Sequence, residues 1–102
     1  MSNEQIIHSV VFSLKHEKGS AEEAKFIQDG KSMLSSIPTV NHFQVFREIS
    51  PKNNYDFGFS MVFHNREDYE AYNAHPTHVE FVSNRWEKEV TQFMEVDYGT
   101  LE

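Results

Sequence analysis

Ile6-Ile-His-Ser-Val-Val-Phe-Ser-Leu14 is the stretch on which the fold turns. Ile6, His8, Val10, Phe12 and Leu14 alternate with Ile7, Ser9, Val11 and Ser13. Period-two alternation rich in β-branched and aromatic residues is the signature of a strand. Here both faces are largely apolar, so both need a cover. One layer of helices covers one face of a sheet, and the other face then needs a second layer.

Outward from this strand, Lys15 to Gly19 reads as a polar turn, and Ser20 with Glu23 forms an S-x-x-E capping box. The helix it opens carries Ala24, Ile27, Met33, Leu34 and Ile37 on its expected apolar side, and it ends near Ser36 because Pro38 cannot continue it. Val40 to Glu48 is a second strand, with Phe43, Val45 and Arg47 opposite His42, Gln44 and Phe46. Turn residues fill Ile49 to Asp56. Phe57, Phe59, Met61 and Phe63 alternate with Gly58, Ser60 and Val62 in the clearest strand of the chain. Asn65, with Asp68 three residues on, predicts a helix start running through Tyr69 and Tyr72 to about Asn73. Pro76 suits the first turn of another helix to about Trp86, with Val79, Val82 and Trp86 inward. Val90 to Tyr98 is a last strand.

The order β-α-β-β-α(α)-β predicts an α+β, ferredoxin-like domain: a four-stranded antiparallel sheet with its helices on one face. The 102 residues suffice for one domain, with a core from about residue 6 to residue 98. Ile7, Val11, Phe46 and Val62 would lie on the uncovered face, and a second copy presenting the same sheet would bury them. A homodimer packed sheet to sheet is therefore expected.

Composition narrows the function classes. The chain has no cysteine, which removes disulfides, thiolate metal sites and cysteine nucleophiles and favours the reducing cytoplasm. Met1 to Gln5 lack the basic and apolar regions of a secretory leader, and no apolar run approaches the roughly 20 residues of a membrane span. Sixteen acidic against nine basic residues give a formal charge of −7, which repels phosphate backbones and anionic lipid. Neither nucleic acid nor membrane is expected as a partner. Aromatics make up 14% of the chain, nine of them Phe. Rings in such number fill cores and also line pockets for flat ligands.

At Tyr72-Asn-Ala-His75-Pro76-Thr77-His78-Val79 the sequence becomes specific. Together with the Ile-His pair opening the first strand, the long loop before an aromatic strand, and Asp97-Tyr98 closing the last, it resembles the stress-responsive A/B barrel family over residues 6 to 98. The resemblance implies a dimeric α+β barrel of two ferredoxin-like subunits, in a family many of whose members have no known activity. One plant branch comprises polyketide cyclases, which close a linear poly-β-ketone by aldol chemistry. It implies catalytic roles for Tyr72 and His78 and a pocket position for His8. Gly30 and Ile27 stand where that branch places pocket aromatics, so the cavity should differ in shape and the substrate does not carry over.

The residues themselves permit two readings. An imidazole exchanges protons near neutral pH, so His78 beside Tyr72 suits a general base or acid, and Tyr72 suits a hydrogen-bond donor to an enolate. The plainer reading has His75 and His78 capping or bridging backbone groups where two helices meet, and for His75 this is the expectation. His8 shares a strand face with Val10 and Phe12; with Phe26 and Phe59 these are the expected ligand-binding positions, although much of the set Phe12, Phe26, Phe57, Phe59 and Phe63 should be plain core. His8, His75 and His78 could in principle make a three-histidine zinc site. The spacing matches no zinc motif and Pro76 restricts the geometry, so no metal is expected. No haem ligand, phosphate loop, Ser-His-Asp order or dinucleotide fingerprint is evident, and no cofactor is expected. Two functions follow: a pocket binding a small apolar or aromatic metabolite, or a cofactor-free lyase or cyclase using Tyr72 and His78 with His8 orienting the ligand. A cofactor-independent monooxygenase, from a family sharing the fold, is a third.

Overall fold

The computed structural model describes residues 4–101. The reading of Met1 to Gln5 and the domain limits at residues 1 and 102 thus fall partly outside the described residues. Strand β1 (Ile6–Leu14) is followed by α1 (Ala21–Ser35), β2 (Asn41–Arg47), β3 (Phe57–Phe63), α2 (Arg66–Ala74), α3 (Pro76–Phe81), a π-helical turn (Val82–Trp86), α4 (Glu87–Glu89) and β4 (Val90–Tyr98). The four strands form one sheet in the order β2-β3-β1-β4, every neighbouring pair antiparallel. This is the ferredoxin-like arrangement expected from the pattern.

The helices lie on the face carrying His8, Val10, Phe12, Phe57, Phe59, Met61 and Phe63, all of them buried. Phe12 is the centre of the core. Its ring centroid lies 4.8 Å from Phe59, 4.9 Å from Trp86, 5.7 Å from Phe57 and 5.9 Å from Phe26. On the other face Ile7 and Phe46 are 42% and 49% exposed, and Met94 and Tyr98 are exposed beside them. Val11 and Val62 are half-buried.

Two helix faces differ from the periodic expectation. In α1 the buried residues are Glu23, Phe26, Gly30 and Leu34, while Ala24 faces solvent. A stripe at i, i+4, i+8 led by a large ring outweighs a small alanine in deciding which side of the helix turns inward. Ser20 Oγ accepts from the Glu23 amide at 3.2 Å, and the Glu23 carboxylate accepts from the Gly19 amide at 3.0 Å. The capping box thus closes one residue further back, onto a glycine at φ 79°. In α3 the inward residue is Phe81, and Val79 is 52% exposed. With His78, Phe81 and Val82 facing the sheet, Val79 is turned about 100° away from His78 and cannot share that face.

Gly30 is where α1 comes closest to the core. A Cβ there would sit 3.0 Å from Phe59 Cζ and 3.2 Å from Phe81 Cζ. Both rings also border a cavity. For Gly30→Ala we therefore expect the helix-propensity gain of about 1 kcal/mol to offset the repacking cost, leaving stability within about 1 kcal/mol of the parent in urea unfolding.

Candidate functional site

A cavity of about 340 Å³ opens between the sheet and the α2–α3 corner. Its buried wall is Val10, Leu34, Phe59, Met61 and Phe81, and Val82 and Trp86 close it from the π-helical turn. π turns are rare and recur at functional sites. Here the turn is held in place by Arg85, whose guanidinium donates to Glu89 at 2.6 Å and to Asp29 of α1 at 2.5 Å, while His16 meets the same Glu89 at 2.6 Å.

The cavity's polar lining comes from His8, Tyr72, Asn73 and His78, with Glu87 and Glu95 besides. β1 supplies His8, which in the antiparallel register stands directly opposite Asp97 of β4. Their side chains meet, His8 Nδ1 to Asp97 Oδ1, at 2.5 Å. Tyr69 of α2 donates to the second Asp97 oxygen at 2.9 Å, and its hydroxyl lies 3.1 Å from His8 Nδ1. A carboxylate accepts only, so His8 carries a proton on Nδ1.

Asn65 caps α2 by accepting from the Asp68 amide at 2.8 Å, which fixes the helix phase that turns Tyr69 and Tyr72 inward. Tyr69 stacks on Phe63 at 5.0 Å, and Tyr72 packs against the same ring at 5.0 Å. Burial, then the neighbouring Tyr69, then Glu95 push the Tyr72 phenol far above its ordinary range, so it stays a hydrogen-bond donor.

His75 and His78 part company. His75 accepts from the Thr77 amide at 3.1 Å and caps α3, a structural task. His78 lies with its ring 4.4 Å from that of Tyr72, and its Nδ1 donates to the Asn73 carbonyl at 3.2 Å. Burial holds His78 below the usual imidazole range, against the opposing pull of that carbonyl. It is therefore neutral at pH 7, with the lone pair on Nε2. The sign follows for stability: a folded pKa depressed below the unfolded value of about 6.5 makes the fold lose stability as pH falls through that value. In His78→Asn, the drop in melting temperature between pH 7 and pH 5 should be smaller than in the parent.

Of the five positions expected to hold a ligand, His8, Val10 and Phe59 border the cavity. Phe12 and Phe26 are fully buried beneath it and pack on Trp86 instead. At Gly30 the Phe59 and Phe81 rings pack close against the helix, and neither Gly30 nor Ile27 lines the cavity. Sequence reasoning overlooked Asp97 as the partner of His8, Tyr69 as its second tie, and Trp86, Phe93, Glu87 and Glu95 as lining. The strand register was the available signal. Once β1 and β4 pair antiparallel, Asp97 and Glu95 fall on the face of His8 and Val10.

A ferredoxin-like sheet with helices on one face, and a polar-tipped aromatic cavity between them, defines a class of small α+β barrel proteins. The chain belongs to the stress responsive A/B barrel domain family, whose model matches residues 6–100. A family member of ferredoxin-like fold from Mesorhizobium loti is 50% identical, with a TM-score of 0.96 over 97% of this chain and 99% of that one. A dimeric ferredoxin-like protein of unknown function from Thermobifida fusca shares the fold at 16% identity, TM-score 0.77, over 96% and 92% of the two chains. So does a hydroxynitrile lyase from Passiflora edulis, at 15% identity and TM-score 0.83 over 98% and 96%. No curated protein matches the chain. Among the described residues, no helix is long and apolar enough to cross a membrane.

Proposed function

We propose that the chain is a homodimeric small-molecule-binding protein whose cavity takes a compact, mostly apolar or aromatic metabolite carrying a hydrogen-bond acceptor such as a carbonyl. The observation that carries this reading is the convergence of His8, Tyr72 and His78 on one aromatic-walled space of about 340 Å³. Apolar walls with a few placed polar groups are the usual composition of a ligand site, and this volume lies in the usual range. The test is a thermal-shift screen of aromatic and polyketide-like compounds against the parent and Val82→Phe, in which the added ring occupies the cavity. Compounds that stabilise the parent and not the variant support the reading. A screen in which both respond alike, or neither responds, refutes it.

A second reading is favoured by a specific feature: His8 and His78, each with Nδ1 tied to an acceptor, flank a phenol kept protonated. That set suits cofactor-free proton transfer next to a carbonyl. His78 Nε2 takes a proton from the carbon α to the carbonyl, and the electron pair moves to the carbonyl oxygen, where the Tyr72 hydroxyl stabilises the enolate. In an aldol closure the enolate carbon attacks a second carbonyl, whose oxygen recovers the proton from the His78 imidazolium. His8, held by Asp97, orients the substrate. The lyase among the fold relatives gives this reading an analogy, and fold analogy alone is a weak warrant.

The dimer rests on the open sheet face with its exposed Ile7, Phe46, Met94 and Tyr98, and on the dimeric state of fold relatives. An apolar sheet face of this kind is buried by a symmetric copy. Sedimentation should give twice the 12.0 kDa chain mass for the parent. Ile7→Lys with Met94→Lys should give a monomer with the same far-UV spectrum, and a parent that sediments as a monomer would remove the dimer from the account.

A further inference from the structure

The cavity is polar in two places of different character. Its interior holds His8, Tyr72 and His78, described above. Its rim holds Glu87 and Glu95, both exposed, together with Trp86 and the 51% exposed Phe93. Trp86 and Phe93 meet edge to face, with centroids 5.6 Å apart and planes at 74°. Among the described residues no Lys or Arg lines the cavity, and no ion pair involves Glu87 or Glu95. Of the basic residues on the same helical segment, Arg85 is committed to Glu89 and Asp29, and Lys88, next to Glu87 in the chain, is exposed and does not line the cavity.

We infer that this rim is an ammonium subsite, so that the ligand of the cavity is an apolar molecule bearing a protonated amine rather than a carboxylate or phosphate. Two independent features meet there. Aromatic faces attract cations through the ring quadrupole, and tryptophan does so best. Two carboxylates without cationic partners favour positive charge and disfavour an anion at the same point. The field reaches inward as well, since Glu95 is one of the groups that raise the Tyr72 phenol. The chain's charge of −7 adds long-range attraction of the same sign. An apolar body in the buried half of the cavity and an amine at the rim satisfy both halves at once. The inference rests on the cavity being a ligand site.

Its test uses three probes of matched size and different charge: phenethylammonium, phenethyl alcohol and phenylacetate. Trp86 is the chain's one tryptophan and lines the cavity, so its fluorescence reports binding directly. At neutral pH and low salt the parent should bind phenethylammonium about tenfold tighter than the alcohol, and phenylacetate most weakly. In Glu87→Gln with Glu95→Gln the cation's advantage should fall to about twofold, with affinity for the alcohol unchanged. Equal binding of cation and alcohol, or tighter binding of phenylacetate, overturns the subsite while leaving the pocket intact. Binding of none of the three overturns the pocket itself, and the subsite with it.

Discussion

Replacing Phe12 with alanine should destabilise the domain by about 3–5 kcal/mol, the range for deleting a fully buried aromatic from a packed core. Phe12 has no exposed surface, and four other rings surround it with centroids within 5.9 Å. The surrounding rings come from β3, α1 and the π-helical turn, three elements that cannot collapse together into the gap. In a domain of this size, each kcal/mol corresponds to about 4–8 °C in melting temperature, so the loss should exceed about 12 °C. Phe93 gives the contrast. It lies on the same sheet face, opposite Phe12 in the β1–β4 register, yet it is half exposed at the cavity rim. Phe93→Ala should therefore cost under about 1.5 kcal/mol, because roughly half the transfer contribution is already absent. Calorimetry on the two variants checks both, and equal losses would place the centre of the core elsewhere.

The second large effect concerns chemistry. If the cavity turns over a carbonyl substrate, His78→Ala should lower kcat about 10²–10⁴-fold and Tyr72→Phe about 10²–10³-fold. Neither should change affinity more than about threefold, because the apolar wall supplies most of the binding. A loss confined to kcat identifies groups that act in the transition state. In a protein that only binds, the same variants keep their affinity and there is no turnover to lose. The pair of variants thus separates the two readings, provided affinity and turnover are followed together. His75→Ala is the matched control: it removes the cap accepting from Thr77 and should cost about 1 kcal/mol of stability with no selective effect on kcat.

The fold was legible because β1 and β3 alternate cleanly and the starts of α1, α2 and α3 carry their caps in sequence: Ser20 with Glu23, Asn65 with Asp68, Pro76 after His75. These are local signals, readable one element at a time. The side of α1 that turns inward was not local. Ala24 and Phe26 are both apolar, and which one faces the sheet depends on Gly30 allowing Phe59 and Phe81 to approach. The π-helical turn at Val82–Trp86 has no sequence marker comparable to a cap, and with it came the Trp86 wall of the cavity.

The site was legible in part. His8, Tyr72 and His78 were singled out by residue chemistry and by the H-P-x-H-V segment, and the structure brings them to one cavity. Phe12 and Phe26 were placed one layer too far out, because alternation assigns a residue to a face and not to a depth. Asp97 escaped because it lies 89 residues from His8 along the chain. Only the strand pairing makes them neighbours.

The central claim is that the cavity bordered by His8, Tyr72 and His78 receives a small molecule. Its most direct test is a crystal structure of the protein soaked with a mixture of aromatic and polyketide-like compounds. The account predicts density in the cavity between Phe59, Phe81 and Trp86, with a polar atom within hydrogen-bond distance of Tyr72, His78 or His8. A crystal in which these side chains are tied only to backbone and to one another, with the space between them filled by protein, would contradict it.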